Sequence, residues 1–197
     1  MNWKLPYFLS LIVIAVSTTL IYHKTQQADI NYYEGHRYFE KGEYDEAIEH
    51  YKNTILVKTS YFDALRDLAY AYQWTDQHDK AIEFFKQALV IKPNNVKLQI
   101  ALGETYAWTD QYEKSIDIFQ SVLNKTNDIE VAKKVAEVYI WNKQYDIAES
   151  VIRDVLKKNP KDSDAELLLA RVLQYTGRTK QSIMLYKKIL KQIKERK

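Results

Sequence analysis

Apolar residues recur every three or four positions through most of the chain and are interrupted by short polar segments. This spacing collects apolar side chains on one face of an α-helix. The polar segment from Thr75 to Asp79 separates two such stretches and is typical of a turn. Four glycines and three prolines in 197 residues leave few helix breakers. The pattern predicts an all-α chain of short helices joined by turns.

The helical pattern repeats five times with nearly constant spacing. In each copy a small residue is followed four positions later by a bulky one: Ala47 and Tyr51, Ala81 and Phe85, Ser115 and Phe119, Ala148 and Ile152, Ser182 and Tyr186. The small residues are 34, 34, 33 and 34 positions apart. Residues four apart share a helical face, and a small residue at a helix crossing lets two backbones approach. We therefore expect five hairpins that stack and share a continuous core.

The period and register resemble the tetratricopeptide repeat family, whose units of 34 residues carry L-G-x2-Y, then A-x3-F, then proline. Leu102-Gly103 with Tyr106 shows the first element, and Pro93 and Pro160 close two units. The resemblance implies a right-handed superhelical solenoid of five helix-turn-helix units, at residues 28–61, 62–95, 96–128, 129–162 and 163–197. The chain departs from the family pattern at Asn31, Leu65 and Gln99, where a larger residue is usual, and at Thr59, where proline is usual.

The N-terminal segment 5–22 contains no charged residue, and its length is near the minimum for crossing a hydrocarbon core of roughly 30 Å. We expect it to be a single transmembrane signal anchor, with a short tail at 1–4 and a linker at 23–27. A signal peptide cleaved near Ala15-Val16-Ser17 and a buried helix are the alternatives. The flanking charges are nearly balanced, and we favour a cytosolic amino end. This orientation would place the repeats in a bacterial periplasm.

A large aromatic residue recurs two positions after the repeated Tyr or Leu of four units. These residues are Trp74, Trp108, Trp141 and Tyr175, and Glu40 stands there in the first unit. At about 100° per residue, two positions correspond to about 200°, so each ring points away from the core face. One helical turn earlier, the same face carries Tyr70, Glu104, Glu137 and Arg171, and one turn before these it carries Arg66, Ile100, Lys133 and Leu167.

The resemblance implies that this face lines a concave groove that grips an extended peptide. The expected partner-binding residues are Trp74, Trp108, Trp141, Tyr175, Tyr70, Glu104, Glu137, Arg171, Arg66 and Lys133. Two alternatives apply to the aromatic series: the rings can pack between repeats, or they can contact a second copy or a membrane. A glycan is an alternative ligand, because tryptophan at this position is similar to that in repeat modules of bacterial envelope proteins that handle exported polysaccharide.

The remaining composition limits the range of functions. A net charge of +3 is too small to indicate a nucleic-acid partner. The last eleven residues hold six Lys or Arg and one Glu, which suits the end of a helix or contact with an anionic surface. There is no cysteine, and His23, His36, His50 and His78 lack metal-ligand spacing. We find no phosphate-binding glycine loop and no nucleophile motif, so we expect neither catalysis nor a cofactor.

The sequence therefore predicts a non-catalytic, membrane-anchored adaptor that holds a protein or peptide partner in its groove. A glycan-handling module of an envelope polysaccharide complex is the alternative from another class. Self-association is a third interpretation, because no additional capping helix follows the last repeat. Tails of chaperones are not expected as ligands, since Tyr32 and His36 stand where the family's clamp has Lys and Asn.

Overall fold

A computed structural model describes the backbone of residues 4–195 and the side chains of residues 9–194. All regular secondary structure in this described part is helical, which confirms the all-α prediction. The helices are α1 (Lys4–Glu40), α2 (Tyr44–Val57), α3 (Phe62–Trp74), α4 (His78–Ile91), α5 (Val96–Trp108), α6 (Tyr112–Thr126), α7 (Ile129–Trp141), α8 (Tyr145–Lys158), α9 (Ser163–Tyr175) and α10 (Thr179–Glu195).

The chain divides into two compact units, residues 1–94 and residues 95–197. In the first unit α2 packs against α1 and α3, α4 packs against α3, and α1 contacts α3. In the second unit each helix from α5 to α10 packs against the next one in sequence, and α7 contacts α9. Within each unit the helices thus form stacked antiparallel hairpins whose apolar faces meet in a shared core.

Each hairpin turns through a residue with a positive φ. These residues are Gly42 (78°), Asp76 (56°), Asp110 (57°), Lys143 (58°) and Gly177 (76°), at the spacing of the repeat. The following residue donates its backbone N–H to the carbonyl oxygen five positions earlier, as Gln77 does to Tyr72 at 2.9 Å. This satisfies a carbonyl that the helix end leaves without a partner. In the T-D-Q turns Thr75 and Thr109 also accept a bond from the Gln side chain.

Small residues sit where the two helices of a hairpin cross. A Cβ atom on Gly103 would lie 2.9 Å from the ring of Phe119, and one on Gly35 would lie 2.9 Å from the ring of Tyr51. In the last hairpin the Ser182 hydroxyl donates to the Ala170 carbonyl oxygen at 2.8 Å. The crossing is therefore close because one side of it lacks a bulky side chain, as the repeat pattern indicated.

The N-terminal expectation needs correction. Across the part of the chain that the structure describes, we find no helix with an apolar stretch sufficient to cross a membrane. The predicted single-pass anchor at 5–22, and the periplasmic localisation built on it, are therefore wrong. Within the described side chains the apolar run extends from Leu9 to Tyr22 and is followed in α1 by His23, Lys24, Gln26 and Gln27, so a membrane-spanning length that starts at Leu9 includes polar residues. The side chains of the predicted tail 1–4, and of 5–8, lie outside the described residues.

The predicted linker at 23–27 is also part of α1, which continues for 37 residues into the first repeat. Packing against α2 begins near Ala28, whose side chain is fully buried and whose carbonyl oxygen accepts a hydrogen bond from Thr54 Oγ1 at 3.2 Å. Helical backbone geometry therefore continues through residues 23–27, where a linker was expected.

Candidate functional site

The recurring aromatic residue is the last residue of a repeat's first helix. Trp74 ends α3, Trp108 ends α5, Trp141 ends α7 and Tyr175 ends α9. Their side chains are 63%, 52%, 39% and 55% exposed, respectively. In contrast, Tyr72, two residues before Trp74, is buried. The rings thus lie away from the core face, at the angle that the helical periodicity indicated.

Trp74 and Tyr175 also pack against the preceding repeat. Trp74 stacks on Tyr44, the first residue of α2, with ring centroids 6.2 Å apart and an interplanar angle of 13°. In the second unit Tyr175 stacks on Tyr145, the first residue of α8, at 5.5 Å and 28°. Exposure and packing between repeats therefore coexist, because one face of each ring meets its partner while much of its surface remains accessible.

A cavity of about 160 Å³ lies between α5 and α7 in the second unit. Its apolar lining consists of Ala107, Trp108, Phe119, Val138 and Trp141. Its charged lining consists of Glu104, Lys134 and Glu137. Phe119 is buried, so the cavity extends from the exposed indoles to the core of the hairpin. We call this cavity the tryptophan slot.

A larger cavity of about 390 Å³ lies on the other side of α7, between α7 and α9. It is lined by Glu130, Lys133, Lys134, Glu137, Asp164, Leu167, Leu168, Arg171 and Tyr186. We call it the charged cavity. The tryptophan slot and the charged cavity share Lys134 and Glu137, both on α7, and therefore adjoin each other.

Most of the charged groups around the two cavities are paired. Lys133 is only 8% exposed, and its Nζ lies 2.8 Å from Glu130 Oε1, 3.3 Å from Asp162 Oδ2 and 3.5 Å from Asp164 Oδ2. Burial acts to lower the pKa of Lys133, but the hydrogen bonds to Glu130 and Asp162 outweigh it and raise the pKa above its ordinary value. Lys134 forms an ion pair with Glu104 across the slot. Lys133 and Glu104, which were expected to face a ligand, are thus already engaged.

Glu137 and Arg171 differ from the other charged lining residues. Within residues 9–194, neither the Glu137 carboxylate nor the Arg171 guanidinium makes an ion pair or a hydrogen bond. They occupy equivalent positions in successive repeats, on α7 and α9. Hydrogen bonds between ionised groups are the stronger ones, so these two groups are available for charge-assisted contacts.

The first unit holds the remaining expected residues in internal contacts. Arg66 Nε donates to Asp67 Oδ1 at 2.6 Å, and Arg66 Nη1 donates to Asp63 Oδ1 at 2.7 Å. Asp67 is buried and also accepts a hydrogen bond from the Tyr32 hydroxyl at 3.1 Å. Tyr70 packs edge-to-face on Phe85. Arg66 and Tyr70 therefore contribute to packing within this unit.

The structure thus brings Trp108, Trp141, Glu104, Glu137, Lys133 and Arg171 together around two adjoining cavities. Tyr175 lines neither of these cavities, and Trp74, Tyr70 and Arg66 belong to the other compact unit. Sequence reasoning missed Lys134, Asp164 and Leu168 because adjacent helical positions point about 100° apart, and only packing shows which of them reach a cavity. The sequence analysis also assigned Phe119 and Tyr186 only to the core, whereas each of them lines a cavity.

Family models agree with the repeat geometry. Residues 35–74 match a model described as TPR repeat, and residues 75–138 match one described as Tetratricopeptide repeat. The chain belongs to the tetratricopeptide repeat family. No curated protein matches this tetratricopeptide chain.

Solved structures show the same fold. The crystal structure of MamA protein superimposes with a TM-score of 0.73 at 20% identity, covering 84% of this chain and 91% of that one. YrrB, described as a TPR protein with an unusual peptide-binding site, superimposes with a TM-score of 0.69 at 18% identity, covering 88% of this chain and 90% of that one. At these identities the likeness establishes the tetratricopeptide fold and no more.

Proposed function

We propose that this tetratricopeptide protein is a non-catalytic scaffold that binds an extended peptide segment of a partner protein across α7. One observation carries the proposal: two adjoining cavities share α7, one with exposed indoles and the other with unpaired charges. The site comprises Trp108, Trp141, Glu104, Glu137 and Arg171. We assign Trp74 and Tyr175 mainly to packing between repeats, because each has one ring face against a tyrosine.

The two cavities suit a peptide better than a compact small molecule. Both cavities are open to solvent, and apart from Lys133 the charged groups that line them are not deeply buried. A chain lying across α7 could place alternate side chains into the slot and the charged cavity, since side chains of an extended strand alternate in direction. Large aromatic residues supply contact area at low entropic cost, and they are enriched at binding hot spots.

The proposal is tested by panning a library of random twelve-residue peptides on the full-length protein and measuring the affinity of an enriched, dye-labelled peptide by fluorescence polarisation. Trp108→Ala should weaken binding more than tenfold, because an aromatic anchor that the bound peptide covers contributes about 2 kcal/mol or more. Tyr175→Ala is the matched control, since it removes the same repeat position without touching either cavity. Equal losses in the two variants would contradict the assigned site.

A glycan is the second candidate ligand, favoured by the exposed indoles of Trp74 and Trp108. Flat indole faces can lie against sugar rings, but the unpaired charges Glu137 and Arg171 have no evident role with a neutral sugar. An oligosaccharide array probed with the full-length protein separates the two classes. Binding to sugars that survives in Arg171→Glu and is lost in Trp108→Ala would support the glycan candidate.

Self-association is a third candidate function, and one feature of α10 favours it. Helix α10 exposes Ile183, Met184, Leu190 and Ile193. Apolar groups of this size on one terminal helix favour contact with another surface. Sedimentation of the full-length protein across a range of concentrations tests this candidate, and a monomer mass at every concentration would exclude it. Ile183→Lys should lower any association that is seen, because it places a charge on the face of α10 that Ile183 shares with Leu190.

A further inference from the structure

We propose that the two cavities select peptides by a defined order of side chains: an apolar residue in the tryptophan slot, a basic residue at Glu137 and an acidic residue at Arg171. This inference rests on the proposed peptide-binding function and specifies the class of peptide. It follows from three features of the second unit, namely the size of the slot, the pairing of the charges and the spacing of the helices.

The slot has room for one side chain. Its volume is about 160 Å³, well below the several hundred Å³ of a typical small-molecule site. Trp108, Trp141 and the buried Phe119 supply aromatic walls, and Ala107 and Val138 complete the apolar lining. An aliphatic or aromatic side chain inserted here would remove apolar surface from water on both partners. An acidic side chain would lose its hydration without gaining a free cation, because Lys134, which lines the slot, is already paired with Glu104.

The pairing of the charged groups determines which side chains the peptide should carry at its other two positions. Lys134 is paired with Glu104, and Lys133 with Glu130, Asp162 and Asp164, so a ligand would have to break an existing ion pair to use them. Glu137 and Arg171 need no such exchange, because no ion pair engages either of them within residues 9–194. Glu137 favours a basic side chain. Arg171 favours a carboxylate, which a guanidinium can bind with two parallel hydrogen bonds.

Helix packing sets the spacing between these positions. Glu137 lies on α7 and Arg171 lies at the equivalent position on α9, and the two helices contact each other. Axes of packed helices are about 8–10 Å apart, and an extended chain advances about 3.3 Å per residue. This distance corresponds to two or three positions, and only an even number of positions puts both side chains on the face of the chain that meets the protein, so the basic and acidic residues should be about two positions apart. The apolar residue should lie about two positions beyond the basic one, because the slot directly adjoins Glu137.

The test pans the same twelve-residue library on four full-length proteins: the wild type, Glu137→Lys, Arg171→Glu and Lys180→Glu. The wild type should enrich an apolar, a basic and an acidic residue at this spacing, in either chain direction. Arg171→Glu should replace the acidic preference with a basic one, and Glu137→Lys should replace the basic preference with an acidic one. Lys180→Glu is the matched control, because it makes the same kind of charge change on an exposed α10 residue outside both cavities.

Affinities add a quantitative readout. A wild-type-selected peptide should bind Arg171→Glu about tenfold to hundredfold more weakly, since a hydrogen bond to a charged group is lost and a like-charge contact is created. Reversing the charge of the peptide's acidic residue should recover most of this loss.

The possible outcomes separate the two proposals. If the wild type enriches peptides with no charge preference, or if both charge reversals leave the preference unchanged, the order proposed here is wrong while peptide binding stands. If a folded wild type enriches no peptide at all, the proposed function fails and this inference fails with it. Circular dichroism of each variant confirms that the compared proteins are folded.

Discussion

Trp74 at the end of α3 lies parallel to Tyr44 at the start of α2, with an interplanar angle of 13° and a centroid distance of 6.2 Å. The second unit repeats the arrangement with Tyr175 and Tyr145. One position of the repeat therefore joins neighbouring hairpins in both units. In the second unit the same position also supplies Trp108 and Trp141 to the tryptophan slot.

The Tyr44 and Trp74 rings should be energetically coupled. A double-mutant cycle with Tyr44→Ala and Trp74→Ala is expected to give a coupling free energy of about 0.5–1.5 kcal/mol, the usual range for a packed aromatic pair. Urea unfolding of the four proteins measures it. A coupling free energy indistinguishable from zero would show that the stacking does not stabilise the first unit.

The indoles should differ in their access to solvent and in their response to a ligand. In single-tryptophan variants that also carry Trp3→Phe, acrylamide should quench Trp74 most and Trp141 least, following their exposed fractions. An enriched peptide should shield Trp108 and Trp141, because both line the slot, and should leave Trp74 nearly unchanged. Shielding of Trp74 alone would place the ligand on the first unit and contradict the proposed site.

The close helix crossing at Gly103 should not tolerate a side chain. Gly103→Ala places a Cβ 2.9 Å from the Phe119 ring, and forcing an atom into a packed core usually costs about 1–3 kcal/mol. The free energy of unfolding should fall by about this amount. The loss should be smaller when Gly103→Ala is made in a Phe119→Leu background, where the ring is absent. A similar loss in both backgrounds would mean that the contact with Phe119 is not the cause.

The turn between α7 and α8 should be improved by glycine. Lys143 has φ 58°, a conformation that costs an L-residue roughly 1–2 kcal/mol, although glycine offsets part of the gain through its greater freedom in the unfolded chain. Lys143→Gly should therefore raise the free energy of unfolding by about 0.5–1 kcal/mol. Gly177→Ala is the reverse control at the equivalent turn, where a Cβ would meet no atom within 4 Å, and it should destabilise. Thermal unfolding of the two variants provides the measurement.

The link between the last two repeats should weaken in acid. Glu149 on α8 accepts hydrogen bonds from Arg178, which follows α9, and from Arg153. The bonds from Arg178 lower the pKa of Glu149 below its ordinary value of 4.5, burial opposes this, and Arg153 adds to the lowering. A lowered folded-state pKa gives stability that is present above the unfolded pKa and is lost as pH falls through the folded value.

Glu149→Gln should therefore destabilise the protein at pH 7, and the difference from wild type should shrink as pH falls below about 4.5. Urea unfolding from pH 3 to pH 7 measures both curves. Asp154→Asn is a useful comparison, because Asp154 pairs with Lys157 on the exposed surface of the same helix and should have a smaller effect. A constant difference at all pH values would mean that the charge of Glu149 does not stabilise the fold.

Much of the fold could be predicted from the sequence because the repeat pattern is written in local chemistry. The small and bulky residues at a spacing of four, such as Ser115 and Phe119, reappear as the helix crossing, and the T-D-Q segments reappear as turns. The N-terminal prediction was wrong because, among the described side chains, the apolar run 9–22 is shorter than a membrane span and the helix continues it with polar residues. The direction of each aromatic ring could be predicted from helical periodicity. The residues that contact each ring could not, because they come from other helices.

The sequence by itself determined the helices, their period and the outward direction of Trp74, Trp108, Trp141 and Tyr175, because these depend on backbone geometry and on residues close together in the chain. Only the tertiary structure decided which charges are engaged. Lys133 and Glu104 are paired with residues about 30 positions away, while Glu137 and Arg171 are unpaired within the described side chains. Ion pairing depends on distances of a few ångströms between separate helices, and those distances are set by how the hairpins pack.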